Sequence, residues 1–156
     1  MMENYEIRQG EILITTDQKQ LDIDVIHDFL STKAYWSLGI PREILTRSIA
    51  NSLSFGLFVR GAQVGFARVV SDYATVAYLG DVFIIEEYRR QGLAQPLMDA
   101  VMGHPALQNL RRWILLTSTA GWLYEQYGFV QLPQPEIYME RFDPQIYRRL
   151  GEQITQ

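Results

Sequence analysis

Loose alternation of hydrophobic and polar positions from Tyr5 to Thr15 predicts a first strand, and Asp17 is placed to cap the next element. Leu21, Val25, Ile26, Phe29 and Leu30 fall on one stripe, which predicts an amphipathic helix over 21–30. After a loop carrying Tyr35 and Trp36, Pro41 stands where a first helical turn tolerates it. Ile44, Leu45 and Ile49 then continue a second helix. Leu53 to Arg60 and Gln63 to Ser71 are β-rich runs joined at Gly61-Ala62, a hairpin signal. A third strand is expected from Thr75 to Ile85, then a helix from Leu93 to Met102 stopped by Gly103-His104-Pro105. Arg112 to Thr117 reads as a short buried strand, and Ala120 to Tyr127 as a short helix ended by Gly128. Phe129 begins another extended segment, Ile137 to Phe142 is expected to close the sheet, and a short helix comes after Asp143. The order β-α-α-β-β-β-α-β-α-β-β predicts an α/β or α+β domain with a mixed sheet.

Length limits how much else the chain can hold: 156 residues fit one domain spanning 1–156. The 47% hydrophobic and 21% charged composition is that of an ordered core, which argues against a disordered chain. A formal net charge of −4, spread evenly, predicts no nucleic-acid partner. With no cysteine, disulfides, a thiol nucleophile and thiolate metal sites are excluded. The polar, acidic start predicts no signal peptide, and no apolar run approaches the roughly 18 residues of a membrane span. A soluble, cytoplasmic protein with no membrane partner is expected.

The chemistry concentrates where an apolar strand, Asp81 to Ile85, gives way to Glu86-Glu87-Tyr88 and then to Arg89-Arg90-Gln91-Gly92-Leu93-Ala94 at a helix start. Backbone N–H groups at a helix N-terminus lack internal partners and carry the positive end of the dipole. Gly92 and Ala94 keep the backbone bare for a close approach, and two arginines add charge, so the junction could hold a diphosphate. The chain has no Gly-Lys-Ser/Thr triplet for a Walker loop and too few spaced glycines for a dinucleotide fingerprint.

Arg89-Arg90-Gln91-Gly92-Leu93-Ala94 resembles the Q/R-x-x-G-x-G/A signature of GNAT-type N-acetyltransferases. Downstream, Ala120-Gly121-Trp122-Leu123-Tyr124-Glu125-Gln126-Tyr127-Gly128-Phe129 resembles that family's A-x-x-L-Y-x-x-x-G-F segment. The resemblance covers nearly the whole chain. It implies the GNAT fold, a mixed, mostly antiparallel sheet of six to seven strands flanked by about four helices. It implies acetyl-CoA as co-substrate, with Val82, Phe83 and Ile84 pairing with the pantetheine arm. Arg89, Arg90, Gln91, Gly92, Leu93, Ala94 and Gln95 would hold the pyrophosphate, mainly through backbone N–H groups. The short strand near Ile114 would be the parallel neighbour, splayed apart to make room.

Tyr124 matches the tyrosine that protonates the departing thiolate; otherwise its ring packs against the sheet with its hydroxyl in water. Thr117 stands where the family often has Asn, leaving a shorter side chain for one cofactor contact. Pro96 falls early in the helix and removes a backbone donor.

Asp81, just before the cofactor strand, could take the amine proton directly or through water, or could simply bond a neighbouring loop. Tyr35 and Trp36 lie where the resembled fold borders its acceptor cleft, with Tyr73, Tyr78, Trp122 and Tyr138 as further candidates. A cleft of this kind suits a small amine with an apolar or aromatic group, or a cation stacked on a ring. His27 and His104 read as surface or core histidines, and no cluster has metal-ligand spacing, so no metal is expected.

The expected function is acetyl transfer from acetyl-CoA to a small-molecule amine. A peptide or protein amine, or a non-catalytic acyl-CoA sensor, are the alternatives. The resembled fold commonly pairs through its last strands and terminal helix, and Ile137 to Leu150, with Tyr138, Met139, Phe142, Ile146 and Tyr147, is a candidate homodimer face.

Overall fold

The computed structural model describes residues 2–154. Six strands form one sheet in the order β1-β2-β3-β4-β5-β6: β1 Glu6–Gln9, β2 Ile12–Thr15, β3 Leu53–Val59, β4 Ala62–Ser71, β5 Val76–Ile84 and β6 Arg112–Leu115. All neighbours are antiparallel except β5 and β6. Helices α1 (Ile23–Thr32) and α2 (Arg42–Ala50) pack on one face, around Phe66 and Phe83. Helices α3 (Ala94–Gly103) and α4 (Gly121–Glu125) pack on the other, with Leu97, Met98 and Val101 against Phe55, Leu57 and Leu79. Helix α5 (Ile146–Ile154) returns to the first face, where Tyr147 meets the α1–α2 cluster. The mixed, mostly antiparallel sheet is the expected fold class. Among the described residues no helix is long and apolar enough to cross a membrane.

Three expectations need correcting. The first strand is a hairpin, because Gly10 takes the left-handed φ of +59° and turns the chain between β1 and β2. The β3–β4 turn lies one residue earlier than expected, at Arg60-Gly61, whose φ values of +49° and +83° give the doubly left-handed turn that matches strand twist. No strand forms at Phe129 or from Ile137 to Phe142. That stretch carries only a 3-10 turn at Pro135–Ile137 and leaves Ile137, Met139 and Phe142 exposed, beyond the last strand of the sheet. Alternation alone cannot provide a partner for such a segment.

His104 is a structural residue. It is buried between the rings of Tyr5 and Phe55, and its Nδ1 accepts the Ala106 N–H at 3.1 Å, capping the turn after α3. Burial pushes its pKa below the usual 6.5. The folded state therefore binds fewer protons than the unfolded chain as pH falls below about 6.5, and stability declines with it. Thermal melts of His104→Asn, which keeps a capping acceptor, should lose less stability between pH 7 and pH 5 than the wild type does. Equal losses would remove His104 from the pH response.

Candidate functional site

The site is opened by one irregularity in β5. Phe66 pairs with Phe83 and Arg68 with Gly80, so Asp81 and Val82 together oppose the single residue Ala67. This is a β-bulge, and Asp81 adopts the left-handed φ of +55°, which aspartate tolerates better than most residues. The parallel register of β5 with β6 runs from Val76–Arg112 to Leu79–Leu115 and ends there. Residues 80–84 of β5 therefore extend beyond the last β6 partner, leaving a slot beside Val82, Phe83 and Ile84. Phe83 fixes the strand by stacking on Phe29 with ring centroids 4.0 Å apart, while Val82 and Ile84 face the α3–α4 cluster.

The slot leads to the turn before α3. Arg90 and Gly92 have left-handed φ values of +64° and +72°, and no atom lies within 4 Å of where a Cβ on Gly92 would project. No side chain caps α3 at Leu93. The first-turn N–H groups thus face an open approach. Pro96 is the third residue of α3, so the donor it lacks has no partner within the helix and its cost is small. Arg89 is turned back: its Nε donates to the Ile84 carbonyl at 2.9 Å, and its guanidinium lies 5.9 Å from the Phe29 ring centroid. Arg89 thus holds the turn to the end of β5, while Arg90 beside it is exposed.

Tyr124, on α4, joins the same core cluster as Leu93 and Leu97 and is 8% exposed. Its ring meets Phe129 edge-on at 6.1 Å, and its carbonyl accepts the Phe129 N–H, so the turn at Gly128 (φ +87°) fixes the ring's orientation. Burial, and to a lesser extent nearby Tyr35, push the Tyr124 hydroxyl above the usual 10.0. Thr117 accepts the Ala120 N–H at 3.0 Å, so its oxygen ties the turn that leads into α4 while its hydroxyl hydrogen stays available as a donor.

Tyr127 carries a role that its place in the sequence does not announce. Its hydroxyl donates to Asp99 at 2.8 Å and reaches the Gln95 carbonyl at 3.1 Å, which fastens α4 to the first turns of α3. Burial and the bond to Asp99 push its pKa up to about 12.

Across the bulge, Asp81 accepts the Trp36 Nε1–H at 3.0 Å and the Arg68 Nε–H at 2.8 Å. Tyr35 stands edge-on to Trp36 and shares a 2.6 Å hydrogen bond with Ser118. The α1–α2 loop is thereby held against both β5 and the β6–α4 loop, and Tyr35, Trp36, Asp81 and Tyr124 are brought into one neighbourhood. Arg68 is likewise absent from the sequence-based candidates, although an arginine amid Phe66, Ala67, Val69 and Val70 is a readable sign of a charge needing a partner.

Residues 50–131 match the family described as acetyltransferase (GNAT) domain. A protein of Gibberella zeae, named provisionally as an acetyltransferase, is 31% identical over 133 residues, covering 70% of this chain and 73% of its own. The chain belongs to the GNAT acetyltransferase family. A GNAT-family protein from Xanthomonas campestris pv. campestris has a solved structure that is 50% identical. It superposes with a TM-score of 0.86 over 90% of this chain and 99% of its own. A GNAT acetyltransferase of Elizabethkingia anophelis, solved with acetyl-CoA bound, is 14% identical and shares the fold at a TM-score of 0.61, covering 86% of this chain and 90% of its own. The strand slot and the glycine turn lie within the matched GNAT region.

Proposed function

We propose that this GNAT protein transfers the acetyl group of acetyl-CoA to the amine of a small molecule by direct attack. The observation that carries the reading is the parting of β5 and β6 at Leu79–Leu115, which leaves residues 82–84 beside a slot leading to the Gly92 turn. A pantetheine arm lying in that slot would use strand-like backbone contacts, and its diphosphate would meet the N–H groups of residues 91–95. The Elizabethkingia relative, which holds acetyl-CoA on the same fold, supports this reading.

In the reaction the amine nitrogen bonds to the acetyl carbon and the C–S bond breaks. Tyr124, kept protonated by burial, supplies a proton to the sulfur. Asp81 presents its remaining lone pairs to the amine; paired with Arg68, it orients the nucleophile, and water carries away the other proton. The exposed side chains of Ile137, Met139 and Phe142 support a second copy of the chain as their cover.

Calorimetric titration with acetyl-CoA, followed in the same sample by thiol release against a panel of amines, tests the assignment. Binding with release for small amines is expected, and light scattering should give twice the chain mass. Binding without release from any amine would favour a sensor, and absence of binding would overturn the reading. A monomer would remove only the dimer.

A further inference from the structure

The α1–α2 face of the sheet holds a charged pair at the bulge whose surroundings specify the acceptor more closely. Arg68 and Asp81 have side chains 19% and 12% exposed, so the pair is largely desolvated yet still reached by solvent. Only the Nε of Arg68 is engaged by Asp81; its two terminal amino groups make no hydrogen bond with another described residue. Opposite Arg68 on β3 stands Ser54, whose buried hydroxyl has no partner. Cross-strand partners share a face of the sheet, so a second polar group lies on the guanidinium side without a protein bond.

Aromatic rings border the pair. Trp36 bonds Asp81 directly and is 44% exposed, and Tyr78 is 37% exposed. A Cβ on Gly80 would come 3.1 Å from the Tyr78 ring, so the glycine makes room for that ring next to Asp81. Tyr147 approaches from α5, and both tyrosine hydroxyls feel the charges of Asp81 and Arg68.

A net-neutral pair offering two guanidinium amino groups beside a carboxylate complements a net-neutral ligand with the opposite arrangement. We propose that the acceptor is an α-amino acid with an apolar or aromatic side chain, its carboxylate on Arg68, its amine on Asp81 and its side chain among Trp36, Tyr78 and Tyr147. Planar bidentate recognition of a carboxylate is what a guanidinium does best. A lone ammonium would gain nothing from Arg68, and a large anion would be repelled by Asp81. Because the Asp81 charge is balanced by Arg68, the carboxylate can orient the amine without strongly favouring the unreactive ammonium form. The balance is simple: the ammonium loses two protons to water, Tyr124 gives its proton to sulfur and regains one from water, and the N–C bond forms as the C–S bond breaks.

This inference rests on the acetyl-transfer reading, and one experiment separates the two. Thiol release is measured for apolar and aromatic α-amino acids and for the amines formed by removing their carboxyl groups, in the wild type and in Arg68→Gln. The wild type should favour the amino acids in kcat/KM by about 10²-fold. Arg68→Gln, whatever it costs both classes through Asp81, should erase that preference by raising the KM of the amino acids about 10²-fold more than that of the amines, and Arg68→Lys should restore part of it. A wild type that uses both classes equally, uses neither while binding acetyl-CoA, or loses both equally in Arg68→Gln would overturn the inference and leave acetyl-CoA binding standing. The wild-type comparison decides even if a variant fails to fold. Failure to bind acetyl-CoA would instead overturn the underlying reading.

Discussion

Replacing Gly92 by aspartate should weaken acetyl-CoA binding by about 10²- to 10³-fold while leaving the fold intact. The backbone at Gly92 has a φ of +72°, a conformation costing ordinary residues about 1–2 kcal/mol but adopted more readily by Asp and Asn. Nothing lies within 4 Å of the new Cβ, so no core contact is disturbed. The consequence is electrostatic. A carboxylate placed among the donors of residues 91–95 would confront the diphosphate at close range, and like charges about 4 Å apart near a protein surface repel by about 4 kcal/mol before salt screening. Gly92→Asn has the same shape without the charge and should lose about tenfold. Calorimetry with acetyl-CoA at two salt concentrations separates the contributions, since the Asp penalty should shrink as salt rises and the Asn penalty should not. Wild-type affinity in both variants would mean that this turn does not hold the diphosphate.

The features legible in the sequence are those set by local physics. The α1 stripe of Ile26, Phe29 and Leu30 is buried as its spacing implies, and at the Arg89–Ala94 junction Gly92 supplies the left-handed turn just before the uncapped start of α3. Tyr124 belongs to the same kind of signal, a short helix closed by Gly128. The bulge was not legible. Asp81 and Val82 read as ordinary alternation, and only pairing with β4 shows that they share one opposing residue. The Arg68–Asp81 pair was hidden for the same reason: its members are 13 residues apart, and the register between two strands decides whether they meet. At Ile137 to Phe142 the pattern was apolar enough for a strand, but the described chain provides no strand beside it. The bonds of Tyr127 have no local signature, because its partners, Gln95 and Asp99, are brought to it by the packing of α3 against α4. Tertiary context therefore set the side-chain pairs around the candidate site, while local sequence set its backbone turn.

Tyr124→Phe should lower kcat by about 10²- to 10⁴-fold with the Kd for acetyl-CoA nearly unchanged, the loss typical of a missing general acid. The substitution removes one hydroxyl and keeps the ring that packs against Phe129 and fills the α3–α4 core, so melting should shift little. Two further readings distinguish a proton donor from a merely well-placed ring. Burial raises the Tyr124 pKa above 10.0, so the wild-type rate should persist to alkaline pH and then fall as the hydroxyl ionises; the Phe variant should lack that limb. An acetyl thioester of a more acidic thiol needs less help in leaving, so with it the gap between wild type and Tyr124→Phe should narrow. A gap that stays constant across leaving groups would assign Tyr124 to positioning the thioester, and an unchanged rate would remove it from the mechanism. The expected narrowing would tie the two halves of the site together, because the proton would have to arrive where the proposed β5–β6 slot holds the sulfur, on the α4 side of β5 beyond the Asp81 bulge.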